Sequence, residues 1–262
     1  MPTITNLIGA KVFDLAQPYF VGMPHHPSHP PFLFSLVKQH GEYIGPTGNS
    51  SASDALAMGT HVGTHIDGLC HFSCGGKLHG GEEAASAQSY AGGLRKFSID
   101  TIAPILRRGR LLDIAGLEQT TALPRDFEIT AAHLDAAAER QSLEIREGDV
   151  VLVRTGWAAY FEDPGKFISE VHGPGPGIEG ARWLSSRRIY AAGSDTVAFE
   201  KVPDASMPVH VHLLVESGIH IIECLNLEEL AAAKVYEFLF VALPLKIRGA
   251  TGSPVRPVAL VG

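Results

Sequence analysis

Short apolar runs separated by glycine- and proline-rich stretches make up most of this chain. A continuous apolar run predicts a buried strand, and apolar positions three to four residues apart predict a helix. These patterns predict strands or strand-like segments at residues 11–20, 53–58, 148–156, 189–195, 218–223 and 236–245. Helices are predicted at 130–141, with Thr130 as the N-cap, and at 181–188. Strands that alternate with modest helices favour an α/β fold with a mixed β-sheet core, flanking helices and one domain over residues 1–262.

Composition and charge narrow the class of protein. With 262 residues, of which 45% are hydrophobic, the chain can bury a sizeable core. The formal net charge of −7 argues against nucleic acid and acidic membranes as main partners. No apolar run reaches the ~18 residues of a transmembrane helix, and the first residues lack the pattern of a signal peptide. Three cysteines form no disulfide framework, so a cytoplasmic location is expected.

The most unusual segment is GTHVGTHIDGLCH at residues 59–71. Its odd-numbered positions hold four side chains that can bind a metal or move a proton: His61, His65, Asp67 and His71. In a straight strand His61 and Asp67 would share a face but lie about 20 Å apart. In a helix His61 and His65 would be neighbours, but Asp67 would point away from His65. A bend at Gly63 and Thr64, followed by an extended segment, could gather His61, His65 and Asp67 around one point.

Two imidazoles and a carboxylate form a ligand set suited to Zn²⁺, Mn²⁺ or Fe²⁺. The alternative is a chance collection of surface or hydrogen-bonded histidines, because short matches are common in a histidine-rich chain. A second segment supports the metal site, since the apolar run at 218–223 ends in Glu223, and a buried carboxylate needs a cation, a metal or a proton. His210 and His212 lie upstream. The alternatives are a buried ion pair for Glu223 and an exposed edge strand for the two histidines.

The stretch HVGTHIDGLCH resembles the H-x-G-T-H-x-D-x-P-x-H signature of the putative cyclase family of metal-dependent hydrolases, which includes bacterial kynurenine formamidase, an arylformamidase, and isatin hydrolase. Other stretches keep the order of the family: DLAQPYFVGMP, GDVVLVRTGW and GIHIIECLNLEEL. The resemblance covers most of the chain. It implies a swivelling β/α/β-like, cyclase-family fold and a homo-oligomer, either a homodimer or a homotetramer.

The resemblance also implies a ligand set for one or two divalent ions, Zn²⁺ or Mn²⁺, made of His61, His65, Asp67, His210 and Glu223. Asp67 and Glu223 would bridge the two ions. The match to His210 rests on its place three residues before Leu213, and His212 is the alternative. His71 would be the general acid/base beside the metal.

Two positions depart from the family pattern. Leu69 replaces the signature proline, which changes the backbone constraint before His71 but removes no ligand. In the kynurenine formamidases a tryptophan of an N-terminal W-P-G-D-like stretch contacts substrate, and here the stretch reads PHHPSHPP with His26 at that place. His26 and the nearby Phe20 are therefore the candidate substrate-binding residues. A plain surface loop for His26 and core packing for Phe20 are the alternatives.

The expected function is hydrolysis of a C–N bond in an aryl formamide or cyclic amide by metal-activated water, with His71 as general acid/base and a small molecule as the partner. A lactone hydrolase on the same site is one alternative. A non-haem Fe(II) oxygenase or isomerase is another, because His65, Asp67 and a distant histidine could form a facial triad. A non-catalytic metal-binding protein is the third. The chain has no G-x-S-x-G motif, which argues against a serine hydrolase.

Overall fold

The computed structural model describes residues 8–262, and its main feature is one large mixed sheet. In chain order the strands are β1 (Lys11–Asp14), β2 (Leu33–Lys38), β3 (Ser53–Ala57), β4 (His65–Asp67), β5 (Gln88–Ser89), β6 (Gly93–Leu94), β7 (Ile105–Asp113), β8 (Glu128–Ile129), β9 (Val150–Arg154), β10 (Gly175–Pro176), β11 (Ala191–Ser194), β12 (His220–Glu223), β13 (Glu237–Ala242), β14 (Gly252–Pro254) and β15 (Val258–Val261). Nine of them pair in the order β1-β15-β13-β7-β9-β11-β12-β4-β14.

The helices lie between these strands. They are α1 (Ala84–Ala87), α2 (Ile114–Leu117), α3 (Ala131–Arg140), α4 (Pro164–Ile168), α5 (Ile178–Ser186), α6 (Pro208–His210) with a π-helical continuation (Val211–Ser217), and α7 (Glu228–Ala232). Short 3₁₀ turns occur at His79–Gly81, Ile99–Thr101 and Trp157–Tyr160. Thr130 caps α3, because its side chain accepts the backbone N–H of His133, as the sequence predicts.

The centre of the sheet is parallel and its flanks are antiparallel. Strands β7, β9, β11 and β12 pair in parallel, whereas β4 pairs antiparallel with both β12 and β14. This arrangement confirms the predicted α/β fold with a mixed sheet. It also brings β4, which carries part of the histidine motif, beside β12, which ends in Glu223.

Two apolar cores cover the two faces of the sheet. Val151 and Val153 of β9 pack with α3 and α5 on one face, and Val150 and Leu152 pack with β13 and α7 on the other. All five residues of β9 are buried, because a parallel strand covered on both sides has no solvent face. Its continuous apolar run predicts this burial.

Several sequence predictions differ from the structure. The strand predicted at 11–20 ends already at Asp14. The helix predicted at 181–188 begins earlier, at Ile178, and ends at Ser186. The segment that carries His210 and His212 is helical, so the alternative of an exposed edge strand is wrong. The central strand β7 has no counterpart among the predictions, because Arg107, Arg108 and Arg110 interrupt its apolar pattern.

Strands β2 and β3 form a separate two-stranded ribbon outside the large sheet. Apart from Lys38, which is half-buried, every residue of this β2–β3 ribbon is exposed. Among residues 8–262, the helices are all too short or too polar to cross a lipid bilayer.

Candidate metal centre

A sharp bend precedes β4 and turns the histidine motif into the protein. Gly63 has a φ of 65°, in the left-handed region, and a Cβ placed there would lie 2.8 Å from the methyl carbon of Met23 and from the ring of Tyr19. Both facts favour glycine at this position. The hydroxyl of Thr64 donates to the carbonyl of Cys224 at 2.6 Å, which ties the bend to the end of β12. The predicted bend is therefore confirmed.

Strand register then sets which side chains meet. His65 of β4 lies opposite Glu223 of β12, so the two side chains share one face, and His65 Nε2 is 3.3 Å from Glu223 Oε2. Asp67 lies opposite Gly252 of β14. A Cβ on Gly252 would lie 2.5 Å from the ring of His61, so glycine at this position leaves room for that imidazole.

Two groups of possible metal ligands result, and they share one carboxylate. The first is His61, His65 and Asp67, and the second is Asp67, His210 and Glu223. All five side chains are buried. Asp67 Oδ1 is 2.7 Å from His61 Nδ1 and 3.6 Å from His65 Nε2, while Asp67 Oδ2 is 4.0 Å from His210 Nε2. His210 Nε2 is 3.2 Å from Glu223 Oε1.

The distances from Glu223 to His65 and to His210 fit metal ligands better than hydrogen bonds, whereas His61 Nδ1 and Asp67 Oδ1 lie at hydrogen-bond distance. Two ligands of a tetrahedral ion with bonds near 2.1 Å lie about 3.4 Å apart, close to the separations of His65 and His210 from Glu223. A hydrogen bond between the same atoms would be shorter, near 2.9 Å. Asp67 Oδ2 is buried without a hydrogen-bond partner. A buried carboxylate oxygen in that state is costly unless a cation meets it, so the donor set fits a divalent ion.

The charges of the site support the same conclusion. Burial alone would raise the pKa of Asp67, but His71, His61 and His65 hold it below its usual range. Burial would also raise the pKa of Glu223, but the neighbouring His210 and His65 lower it to about 2. Both carboxylates are therefore ionised at neutral pH. Among the described residues, no lysine or arginine lines the cavity beside them.

Hydrogen bonds orient two of the histidines. His65 donates its Nδ1–H to the carbonyl of Gly63 at 2.8 Å, which leaves the Nε2 lone pair facing Glu223. His210 Nδ1 lies 2.6 Å from Glu200 Oε1, and the same oxygen accepts the backbone N–H of His210 at 2.8 Å. Burial would lower the pKa of His210, but its hydrogen bond with Glu200 and the nearby carboxylate of Glu223 raise it to about 10. A carboxylate behind a histidine is a frequent device for orienting metal ligands.

The structure brings His210, and not His212, close to the other candidate ligands. His212 bonds to Glu216 Oε2 at 2.7 Å and to the hydroxyl of Ser185 at 2.8 Å, and it does not belong to either ligand group. His210 does. Glu200, by contrast, is absent from the sequence predictions, because nothing in its local pattern distinguishes it from a surface glutamate.

A cavity of about 440 Å³ opens onto these ligands. His71 lines it with its ring stacked on that of His61, centroid to centroid 3.9 Å, and burial lowers the pKa of His71 to about 3. His26 also lines this cavity. Phe20 lies elsewhere: its ring meets Phe161 edge-on, and it borders a separate apolar groove.

A turn at Leu69, where the family signature has proline, leads from Asp67 to His71. The N–H of His71 donates to the carbonyl of Gly68 at 2.9 Å, and the N–H of Gly68 donates to the carbonyl of Thr251 at 2.8 Å. The Leu69 side chain packs against the core that contains α3 and α5. Backbone hydrogen bonds therefore hold the segment between Asp67 and His71 without proline.

The mixed sheet and the histidine–carboxylate centre at its edge define an α/β protein with a candidate site for divalent metal. Residues 13–201 match the family model described as putative cyclase, which covers more than half of the chain, and the chain belongs to this family. The family resemblance inferred from the sequence is thereby confirmed.

Named relatives indicate what kinds of protein the chain resembles. It is 28% identical to isatin hydrolase of Roseibium aggregatum, over 79% of this chain and 73% of the relative. It is 25% identical to kynurenine formamidase of Bacillus cereus, over 94% of this chain and 95% of the relative. A crystal structure of a novel cyclase superposes with a TM-score of 0.90 at 30% identity, over 98% of this chain and 89% of that one. Isatin hydrolase A from Ralstonia solanacearum superposes with a TM-score of 0.76 at 25% identity, over 100% and 98%. The chain is an enzyme of a family whose named members include hydrolases.

Proposed function

We propose that this protein is a metal-dependent amidohydrolase that cleaves a C–N bond in an aryl formamide or a cyclic amide. The observation that carries the proposal is the pair of buried ligand groups sharing Asp67, with His71 beside them in the same cavity. The relatives named isatin hydrolase and kynurenine formamidase support a C–N bond as the target.

The proposed ligands are the five buried side chains His61, His65, Asp67, His210 and Glu223. Two carboxylates and three imidazoles suit Zn²⁺ or Mn²⁺, and the two groups can hold one or two ions. Such ions, when bound, polarise a carbonyl group and lower the pKa of coordinated water from 15.7 to about 7.

His71 supplies the proton transfer in this proposal. Burial lowers its pKa to about 3, so the ring is neutral at neutral pH. In this proposal its unprotonated nitrogen accepts a proton from the attacking water. The ring then passes that proton to the nitrogen that leaves. The stack on His61, with ring centroids 3.9 Å apart, holds His71 beside the ligand group.

The shape of the cavity is consistent with an aryl substrate. Phe72, Val197, Val202 and Met207 are apolar residues that line it, together with His26. Such a lining binds a planar apolar ring, while the polar side holds the group to be cleaved. A lactone fits the same arrangement with oxygen as the leaving atom. A single-iron oxygenase would need one facial triad, and would leave the second ligand group without a role.

A hydrolysis screen of the metal-loaded protein tests the proposal. Aryl formamides, isatin and aryl lactones are each added in the presence of Zn²⁺ or Mn²⁺, and proton release and oxygen uptake are recorded together. We expect proton release with an amide and no oxygen uptake. Oxygen uptake with Fe²⁺, or faster turnover of lactones than of any amide, would contradict the C–N assignment.

Asp67→Ala should remove both bound metal and activity, because Asp67 belongs to both ligand groups. Metal content is measured by elemental analysis after gel filtration. Asp54→Ala, an exposed aspartate on β3, is the control and should keep both. Full metal content in Asp67→Ala would refute the proposed centre.

We also propose a homodimer or homotetramer with a small molecule as its substrate, located in the cytoplasm. The exposed apolar β2–β3 ribbon supports self-association. The net charge of −7 supports a small molecule over nucleic acid as the partner. The absence of a disulfide among the described cysteines supports the cytoplasmic location.

A further inference from the structure

The short strand β4 carries two of the candidate ligands, His65 and Asp67. Both side chains lie on one face of the strand, because residues two apart in a strand point to the same side. Ile66, between them, belongs to the core on the opposite face and is fully buried. A rotation or shift of β4 would therefore move both ligands together. Their positions depend on what holds the two ends of this strand.

A half-buried tyrosine holds the first end of β4. The hydroxyl of Tyr19 donates to the carbonyl of Thr64, in the peptide group that leads into His65, at 2.7 Å. The backbone N–H of Val255 donates to the same carbonyl at 3.0 Å, so both lone pairs of that oxygen are used. The ring of Tyr19 also packs against Gly63, at the bend before the strand. Tyr19 thus fixes both the bend and the peptide group after it.

A buried histidine holds the second end. The pairing of β4 with β12 covers His65 and Ile66. The carbonyl of Asp67, one residue further on, lies 2.8 Å from Nδ1 of His220. A carbonyl can only accept, so Nδ1 of His220 carries a proton and donates it. His220 therefore continues the hydrogen bonding of β12 beyond the paired residues and holds the main chain of a candidate ligand.

Tyr19 and His220 act on the site through the backbone. Among residues 8–262, the cavity lining and the two ligand groups include neither of them. Their hydrogen bonds go to the main chain at the two ends of β4, across 45 and 153 residues of sequence. Neither side chain is therefore placed to bind metal or to touch a ligand in this cavity.

We propose that Tyr19 and His220 are positioning residues that clamp β4 at its two ends and so hold His65 and Asp67 in the arrangement that binds the metal. This inference rests on the metal centre of the proposed function. A hydrogen bond that only stabilises the fold supports the metal-free and the metal-bound protein equally, and its loss leaves metal affinity unchanged. Loss of a positioning bond lowers metal affinity, because β4 must then be ordered when the metal binds.

Metal affinity of full-length variants tests the clamp. Zn²⁺ is titrated into metal-free protein in competition with a chelating dye. Tyr19→Phe removes only the hydroxyl, and His220→Gln moves the donor away from the Nδ1 position. We expect each change to weaken Zn²⁺ binding about 5- to 10-fold, as the loss of one hydrogen bond predicts. His220→Asn, whose side-chain N–H takes the place of Nδ1–H, should restore the affinity of the wild type.

Thr130→Ala is the control for a loss of stability alone. The Thr130 side chain caps α3, away from both ligand groups and the cavity lining. This change should lower the midpoint of urea denaturation and leave Zn²⁺ affinity unchanged. Co²⁺ in place of Zn²⁺ gives a second readout, because its visible absorption depends on the arrangement of its ligands. The Co²⁺ spectrum should change in Tyr19→Phe and His220→Gln, and should match the wild type in His220→Asn and Thr130→Ala.

The outcomes separate the clamp from the proposed function. Wild-type Zn²⁺ affinity and an unchanged Co²⁺ spectrum in both Tyr19→Phe and His220→Gln would overturn the clamp alone and leave the metal centre in place. A loss of affinity that His220→Asn does not restore would give His220 a packing role and would also count against the clamp. A wild type that binds none of Zn²⁺, Mn²⁺ and Co²⁺ would refute the metal centre, and the clamp with it.

Discussion

Glu200 is the clearest case of a side chain that acts through another. It is buried and holds both the ring Nδ1 and the backbone N–H of His210. We expect Glu200→Gln to weaken metal binding at the second ligand group by about 10- to 100-fold, because the ring loses its charged partner. Competition with a chelating dye measures this affinity.

A matched control for Glu200 exists in the same region. Glu216 bonds the ring of His212 in the same way, and His212 belongs to neither ligand group. Glu216→Gln should leave metal affinity unchanged. Equal affinities in the wild type and Glu200→Gln would show that His210 is oriented by the fold alone.

His71 is expected to serve turnover and not metal binding. It stacks on His61 but belongs to neither ligand group. His71→Asn should keep the metal content and lower kcat by about 10²- to 10⁴-fold, the usual contribution of a general acid/base. His40→Asn, a change at an exposed histidine, is the control and should match the wild type. Loss of metal in His71→Asn would mean that His71 is a ligand.

At the scale of single residues, spacing and chemistry predict much of the candidate centre. The spacing of His61, His65 and Asp67 leaves a bent chain as the one arrangement that gathers them, and the structure has that bend. Glu200 could not be found in this way. It lies ten residues before His210 in an irregular segment, and the two meet because of tertiary packing.

At the scale of elements, the ends of the parallel strands β9 and β11 meet at a buried carboxylate, Asp195. Asp195 follows β11 and accepts hydrogen bonds from the Thr155 N–H at 2.9 Å, the Thr155 hydroxyl at 2.7 Å and the Gly156 N–H at 2.8 Å. These bonds join the ends of β9 and β11. Burial nevertheless raises the pKa of Asp195 from 3.8 to about 6.

This shift predicts a pH-dependent contribution to stability. The folded pKa is above the unfolded value, so the contribution is fully present below about pH 4 and is lost as the pH rises through 6. The difference in unfolding free energy between the wild type and Asp195→Asn should therefore fall by up to about 3 kcal/mol from pH 4 to pH 7. Urea denaturation at each pH measures it. Asp126→Asn, at an exposed aspartate, should give a difference that does not vary with pH, and a flat difference for Asp195→Asn would contradict the prediction.

Elements with a simple pattern are predictable, and those held by distant partners are not. The apolar run of β9 and the capped helix α3 both match the structure closely. The sequence does not predict strand β7, because arginines interrupt its apolar pattern. Its Arg110 is buried nonetheless, 3.6 Å from Asp149, a carboxylate that sequence alone does not place beside it.

For the whole molecule, the exposed β2–β3 ribbon is the feature on which the proposed oligomer rests. Its large apolar side chains are exposed, with Leu36 at 51%, Val37 at 63% and Leu56 at 61% of their full surface. An isolated two-stranded ribbon is only marginally stable in water. A groove of about 890 Å³, lined by Phe34, Leu56 and Leu245 among others, lies beside it. In a two-fold contact between identical chains, the ribbon of each copy can pack into the groove of the other.

We therefore expect the wild type to be an oligomer in which the ribbon is covered. The double change Leu36→Ser with Leu56→Ser should weaken self-association by at least 100-fold, because each buried leucine contributes about 1.5–3 kcal/mol. Light scattering coupled to gel filtration measures the mass at micromolar concentration, and circular dichroism checks that the fold is kept. Leu106→Ser, at an equally exposed leucine of β7, is the control and should stay oligomeric. A monomeric wild type would contradict the prediction, and so would a double variant that keeps the oligomeric mass, since either result would leave the ribbon without a role in assembly.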